Sequence, residues 1–173
     1  MTVAEAVADW LAEEGITHAF GIVGAGNLPL WEAITRKEKT ALICCHHEQA
    51  AAMAASFYQR AGGGISVCLV TTGAGSSNSI TGVLAAYMDS TPLLVISGNE
   101  TAASLQGTTR VLGVQGYDST RVASQFVKVA YRMESGGSIS PINDLERGLI
   151  AATTGRQGPV WIDIPRDVQN ATI

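Results

Sequence analysis

At 173 residues, 46% hydrophobic and 15% charged, the chain has the composition of one compact domain large enough to bury a core. A net charge of −4 and the lack of any basic cluster exclude a nucleic-acid surface, since nothing is available to neutralise phosphates. No apolar run reaches the roughly 18 residues that span a bilayer, and the charged fraction falls below the roughly 25% of ordinary soluble domains, which leaves surface for another subunit to cover.

Thr2 and Glu5 form a capping-box pair, and Val3, Val7, Trp10 and Leu11 recur at helical spacing, so the chain opens on a helix rather than on a secretory signal. Gly15 ends that helix. His18 to Val23 reads as a strand running into the turn Gly24-Ala25-Gly26-Asn27. Leu28 to Thr35 reads as a second helix and Ala41 to Cys45 as a second strand. The alanine-rich stretch Glu48 to Arg60 reads as a third helix, stopped by Gly62-Gly63-Gly64. Ile65 to Thr72 is an apolar strand that enters Gly73-Ala74-Gly75-Ser76-Ser77-Asn78. A helix over Ile80 to Met88 and a strand over Leu93 to Ser97 follow. Residues 101–120 lack periodicity, carry glycine at 107, 113 and 116, and read mainly as a functional loop. Pro141 starts a last helix that ends near Gly155, and Val160 to Ile164 is the final strand.

Runs such as Val67-Cys68-Leu69-Val70 and Leu93-Leu94-Val95-Ile96 show no alternation, which implies strands buried on both faces. Strand, glycine turn, helix and strand in that order predict an α/β fold, a three-layer α/β/α domain with a mainly parallel central sheet. Cys44, Cys45 and Cys68 lie in apolar stretches, an odd number with two adjacent, so they read as buried, reduced thiols of a cytoplasmic protein. No His or Cys stands at metal-ligand spacing, which predicts no metal site on this chain.

Glycine-bearing turns at 24–26, 73–75 and 98 each follow an apolar strand, where open parallel sheets collect ligands. Neither dinucleotide nor mononucleotide chemistry suits them. Pro29 stands where a third glycine of the dinucleotide fingerprint belongs, and no Gly-Lys-Ser/Thr occurs. Glu48 is the most informative charged residue, at the junction of an apolar strand and an alanine-rich helix. A carboxylate there serves either as a helix-terminal charge or as a functional group. Apolar neighbours make its burial costly unless it has a partner or keeps its proton, and such a carboxyl suits proton transfer near neutrality. His46 and His47 read as packing or hydrogen-bonding residues.

Phe20-Gly21-Ile22-Val23-Gly24, the run His47 to Ala54, Thr72-Gly73-Ala74-Gly75-Ser76-Ser77-Asn78 and the run Ala86 to Leu93 together resemble, in order and spacing, the N-terminal pyrimidine-binding domain of the acetolactate-synthase-like thiamine-diphosphate enzymes. The run Gly158 to Gln169 resembles that domain's closing signature, so the likeness spans residues 1–173. It implies that Glu48 is the catalytic glutamate that hydrogen-bonds the pyrimidine ring of thiamine diphosphate. It implies further that Val23, Gly24, Gly73, Ala74 and Asn78 lie on the cofactor side, with Val114 and Gln115 on the substrate side. The implied reaction is decarboxylation of a 2-oxo acid and transfer of the acyl anion equivalent to a carbonyl acceptor.

This sequence departs from the family at Val23 and Ala74, where proline is usual, and at Val114, where a bulky aromatic residue is common. The paired histidines of pyruvate-type decarboxylases are missing from this loop region, which favours carboligation over a two-component, sulfopyruvate-decarboxylase-like decarboxylation. A decayed, non-enzymatic binding module is disfavoured by the presence of Glu48. The Gly-Asp-Gly motif that serves Mg²⁺ and the diphosphate in the family does not occur here. The expectation is a second subunit carrying that half, in an α₂β₂ hetero-oligomer, with no nucleic-acid or membrane partner.

Overall fold

The computed structural model describes residues 1–105, 112–134 and 140–173. Its centre is a parallel sheet of six strands in the order β2-β1-β3-β4-β6-β5. The strands are β1 (His18–Gly21), β2 (Ala41–Cys44), β3 (Val67–Val70), β4 (Leu93–Asn99), β5 (Ala130–Arg132) and β6 (Pro159–Pro165). Every neighbouring pair is parallel, as registers such as Phe20 with Cys68, Cys68 with Val95 and Val95 with Trp161 show. The connections are mostly helical, as parallel pairing demands.

Strand side chains alternate between two cores, and both cores are apolar, which is why the strands read as unbroken hydrophobic runs. Val67, Leu69, Leu94, Ile96 and Ile162 face α1 (Val3–Glu13), α2 (Leu28–Lys37), α7 (Pro141–Thr153) and α8 (Arg166–Gln169). Phe20, Cys68, Val70, Val95 and Trp161 face α3 (Glu48–Tyr58), α4 (Ala74–Met88) and α6 (Ser119–Ala123). The result is the three-layer α/β/α arrangement. A short α5 (Ala102–Leu105) lies between β4 and α6 in the chain. The first helix carries the capping box: Glu5 N–H donates to Thr2 Oγ1 at 3.2 Å, and Thr2 N–H to the Glu5 carboxylate at 2.9 Å.

Several boundaries differ from the sequence reading. Helix α4 begins at Ala74, so most of the predicted glycine turn is the helix's first turn. Gly98 lies within β4 rather than after it. Strand β5 is three half-buried residues long and α8 only four, too short for periodicity to register. The stretch 101–120 contains α5, a 3₁₀ turn over Gly113–Gln115 and the start of α6, while Gly107 falls outside the described residues. Among the described residues no helix is long and apolar enough to cross a membrane.

The thiols are free but not all buried. Cys68 is enclosed, Cys45 is half-buried, and Cys44 is exposed because β2 is an edge strand. Burial pushes the Cys68 thiol strongly up from its ordinary value and raises Cys45 as well, with Cys44 adding to the latter. Since the thiolate is the nucleophile, iodoacetamide is expected to label Cys44 first and Cys45 more slowly. Cys68 should react only as fast as the protein opens globally. Peptide mass spectrometry reads the order, and rapid labelling of Cys68 in the native protein would contradict the packing around β3.

Candidate functional site

Helix α2 follows β1 on one face of the sheet and α4 follows β3 on the other, although β1 and β3 are neighbours. Their connections therefore diverge at the carboxyl ends of these strands and leave a crevice, the switch point where open α/β sheets take ligands. Three sequence-predicted segments converge there: Val23-Gly24 after β1, Glu48 after β2, and Gly73 to Asn78 after β3.

Glu48 is the first residue of α3, and its neighbour His47 caps the helix by accepting the Gln49 N–H on Nδ1 at 3.2 Å. His46 is exposed. Glu48 is only 8% exposed, and the side chain that meets it is Asn78, whose Nδ2 donates to Oε2 at 3.0 Å. The pairing follows from how α3 and α4 cross. Ala52, one turn after Glu48, packs against Gly82, one turn after Asn78, so closely that a Cβ on Gly82 would lie 2.6 Å from that of Ala52. Small residues bring the helix axes together, and the polar pair one turn earlier comes within hydrogen-bonding range.

The other oxygen, Oε1, carries no hydrogen bond among the described residues and lies on the side of Gly75, where a Cβ would stand 3.6 Å from it. Thr71 fills the space between the two turns. Its Oγ1 accepts the Gly26 N–H at 3.0 Å, and its side chain would come within 2.6 Å of a Cβ on either Gly24 or Gly75. Asn27 braces the first turn, accepting the Gly24 N–H at 2.8 Å and donating to the Ile22 carbonyl at 3.0 Å. Val23 and Ala74 are exposed at the mouth. Gln169, fully buried, donates from Nε2 to the carbonyls of Gly26 and Ile164, both at 2.6 Å.

The second predicted cluster closes on the first from the far side. Gly73 has φ +64° and ψ −120°, a conformation that side chains rarely adopt, and a Cβ there would lie 2.5 Å from Gln115 Oε1. Thr72 Oγ1 donates towards both the carbonyl and the side-chain oxygen of Gln115, at 2.9 and 3.0 Å. Val114 next to it is 62% exposed. Tyr117 shares a hydrogen bond with Ser76 at 2.7 Å and lies 3.3 Å from the Gly73 carbonyl. Burial raises the Tyr117 phenol from its ordinary value, the Ser76 and Ser77 hydroxyls oppose this, and Asp163 adds to it, so the phenol remains a donor at neutral pH.

Each predicted site residue thus lies at this crevice or on its rim, and Glu48 with Asn78 is the one pair joined by a direct side-chain bond. Thr71, Thr72, Asn27, Tyr117 and Gln169 were missed as site-builders. Asn27 alone carried a readable signal, standing just before Leu28-Pro29 where a helix starts, although its side chain turns back to Gly24 rather than capping that helix.

Residues 1–125 match the family described as "Thiamine pyrophosphate enzyme, N-terminal TPP binding domain". The chain is 39% identical to an acetolactate synthase of Arthrospira platensis over 176 aligned positions, covering 100% of this chain and 29% of that protein. It is 35% identical to the acetolactate synthase isozyme 3 large subunit of Escherichia coli, covering 96% of this chain and 28% of the relative. It is 34% identical to a probable acetolactate synthase large subunit of Methanocaldococcus jannaschii, with coverage of 100% and 28%. The chain therefore spans less than a third of the length of these relatives.

The close crossing of α3 and α4 makes a sign prediction for Gly82→Ala. Helix propensity alone would stabilise the variant by about 1 kcal/mol. The added methyl meets Ala52 Cβ at 2.6 Å and the Met53 backbone nitrogen at 3.0 Å. Overpacking of that kind costs about 1–3 kcal/mol. A net loss is expected, read as a lower urea midpoint; a raised midpoint would contradict the packing that brings Asn78 to Glu48.

Proposed function

This chain belongs to the thiamine pyrophosphate enzymes, matching their N-terminal cofactor-binding domain, and from that premise we propose that it binds the pyrimidine end of thiamine diphosphate and that Glu48 is its catalytic residue. The observation that carries the reading is a carboxyl group at the switch point, 8% exposed, with one oxygen fixed by Asn78 and the other on the side of Gly75. A flat aminopyrimidine needs a hydrogen-bonding group at a ring nitrogen and a wall without side chains. Glu48 with the Gly73–Gly75 backbone fits both needs. Val23, Gly24, Gly73, Ala74 and Asn78 line that end of the cofactor. The domain extends across residues 1–173, because β5 and β6, which lie beyond the matched stretch, complete the same sheet.

When bound, the cofactor supplies a carbon nucleophile that adds to a 2-oxo acid and accepts the electron pair released on decarboxylation. The residues of this chain prepare for it. Glu48 Oε1 would hydrogen-bond a pyrimidine ring nitrogen, while Asn78, bonded to Oε2, would keep the carboxyl group from rotating away. Ala51, Ala52 and Ala55 keep water from behind it. Val114 and Gln115 form the substrate-side wall, and the product is the carboligation product of an acetolactate-synthase-like reaction.

The Mg²⁺ and diphosphate half of the site comes from outside residues 1–173. The source is either a second subunit in an α₂β₂ assembly, the expectation from the sequence, or further domains of a longer polypeptide. The outer surface of α3 and α4 supports such a covering partner: Phe57, Leu84 and Met88 are exposed there. Arg60 ties the patch together, stacking over the Phe57 ring at 5.1 Å and pairing with Asp89 at 2.7 Å. The alternative in which the domain only scaffolds is met by the same experiment as the enzymatic reading.

In the assembled enzyme, Glu48→Gln is expected to lower kcat by about 10²–10⁴-fold, the scale of a lost proton-transfer group. Thiamine diphosphate should still bind with Mg²⁺, as calorimetry can establish. Full activity in the variant would remove Glu48 from the chemistry. A labelled 2-oxo acid supplied with a carbonyl acceptor identifies the reaction: a new carbon–carbon bond supports carboligation, and free aldehyde alone supports the decarboxylase.

A further inference from the structure

The most heavily hydrogen-bonded side chain among the described residues plays no part in the site above. Asp163, in β6, is 0% exposed. Its Oδ1 accepts from Ser97 Oγ at 2.5 Å, Asn99 Nδ2 at 3.2 Å and Ser119 Oγ at 3.1 Å. Its Oδ2 accepts from Asn99 at 3.1 Å and from Arg132 Nε at 2.9 Å. Trp161 Nε1 donates to Ser97 Oγ at 2.9 Å, which orients the serine proton towards the carboxylate. A buried carboxylate is tolerated when its lone pairs are met in this way. The sheet alone accounts for Ser97, Asn99 and Arg132, which lie on β4 and β5 beside it. Ser119 is different: it belongs to α6 and connects the sheet to the segment that bears Val114 and Gln115.

A second connection runs in parallel. Arg132 Nη2 stands 3.1 Å from Asp118 Oδ1, a charge contact without the alignment of a hydrogen bond. Asp118 in turn caps α6, accepting the Thr120 N–H at 3.1 Å and the Thr120 hydroxyl at 2.6 Å. Residues 115–119 are thus held from two sides. Thr72 and Ser76 bind Gln115 and Tyr117 on the side of the Gly73 turn, and Asp163 binds Ser119 and, through Arg132, reaches Asp118 on the side of the sheet. Gly113 to Gly116 are exposed. Such a segment is ordered by these contacts rather than by a core of its own.

We propose that Asp163 is a positioning residue: by fixing Ser119 and Asp118 it sets where Val114 and Gln115 stand relative to the Gly73 turn, and so sets the substrate-side wall. This rests on the functional reading above for the identity of the wall, but the anchoring itself is a property of the chain alone. Substrate recognition then depends on a carboxylate that touches neither cofactor nor substrate. The turn after β1, Gly24 to Gly26, is anchored separately, through Thr71 and Asn27, whereas the Gly73 turn bonds the segment directly through Thr72 and Ser76.

Replacing Asp163 risks the fold, because Ser97, Asn99 and Arg132 would lose their buried acceptor, so the decisive variant is Ser119→Ala, which removes the direct bond from α6 to Asp163 and leaves the sheet network and the Arg132–Asp118 contact intact. In the assembled enzyme, amide exchange over residues 112–118 is expected to accelerate about tenfold, the scale of one lost hydrogen bond to a charged group. KM for the 2-oxo acid should rise severalfold, with kcat and thiamine diphosphate affinity near wild type. Unchanged exchange over 112–118 overturns the anchoring, and accelerated exchange with unchanged KM overturns the role in substrate placement. A wild-type assembly that neither binds thiamine diphosphate nor turns over a 2-oxo acid defeats the functional reading instead, and leaves the exchange result to decide the anchoring.

Discussion

Glu48 and Asn78 sit on different helices, and they meet because α3 and α4 cross at a separation that a single Cβ at Gly82 would prevent. The alanines of α3 have the same origin. Ala51, Ala52 and Ala55 are fully buried between the sheet and α4, where a larger side chain would drive the helices apart. A carboxyl group with this little solvent is costly unless it is bonded, and among the described residues the arrangement gives it one amide donor. Were it bonded on both oxygens by the protein, as Asp163 is, the group would have little capacity left for a ligand. On the proposed reading, the contrast between these two buried carboxylates, one saturated and one left with an oxygen free of protein partners among the described residues, is that between a positioning acid and one that meets a ligand.

Thr71 imposes the second constraint. Leaving β3 between Gly24 and Gly75, it occupies the volume that Cβ atoms would take at either glycine, and it also holds the Gly26 amide. The glycine turns are therefore required by a neighbouring side chain as much as by any ligand. Gly73 is a separate case, because its φ of +64° turns the chain into α4 while leaving its face open to Gln115. Together the two glycine turns present backbone to the crevice, which on the proposed reading suits a flat ring.

The layered parallel sheet was legible because both cores are apolar, so strands such as Val67–Val70 announced themselves without alternation. Glu48 was legible for the opposite reason, as one charge in an apolar setting. What escaped was made by contacts between residues far apart in sequence. Thr72 with Gln115 spans 43 positions, Gln169 with Gly26 spans 143, and neither threonine nor glutamine has a composition that signals such a partner. Strand β5 escaped because its pairing with β6 comes from the tertiary neighbourhood and not from its own three residues. Cys44 was misjudged as buried since an edge strand and a central strand carry similar apolar residues, and only the order of strands tells them apart.

The helices that form the site also carry the most conspicuous apolar surface. Glu48 begins α3 and Ala74 begins α4, while Phe57 and Met88 are exposed towards the other ends of the same two helices. On the proposed reading, a partner seated on that surface holds α3 and α4 as a rigid pair, and the crossing at Gly82 transmits its position to the Glu48–Asn78 bond without any loop in between. The substrate wall over residues 112–118 is held differently, through Asp163 and the opposite half of the sheet. On that reading, docking would govern cofactor activation through α3 and α4, and would reach the 112–118 segment through the Ser76–Tyr117 bond as well as through the sheet.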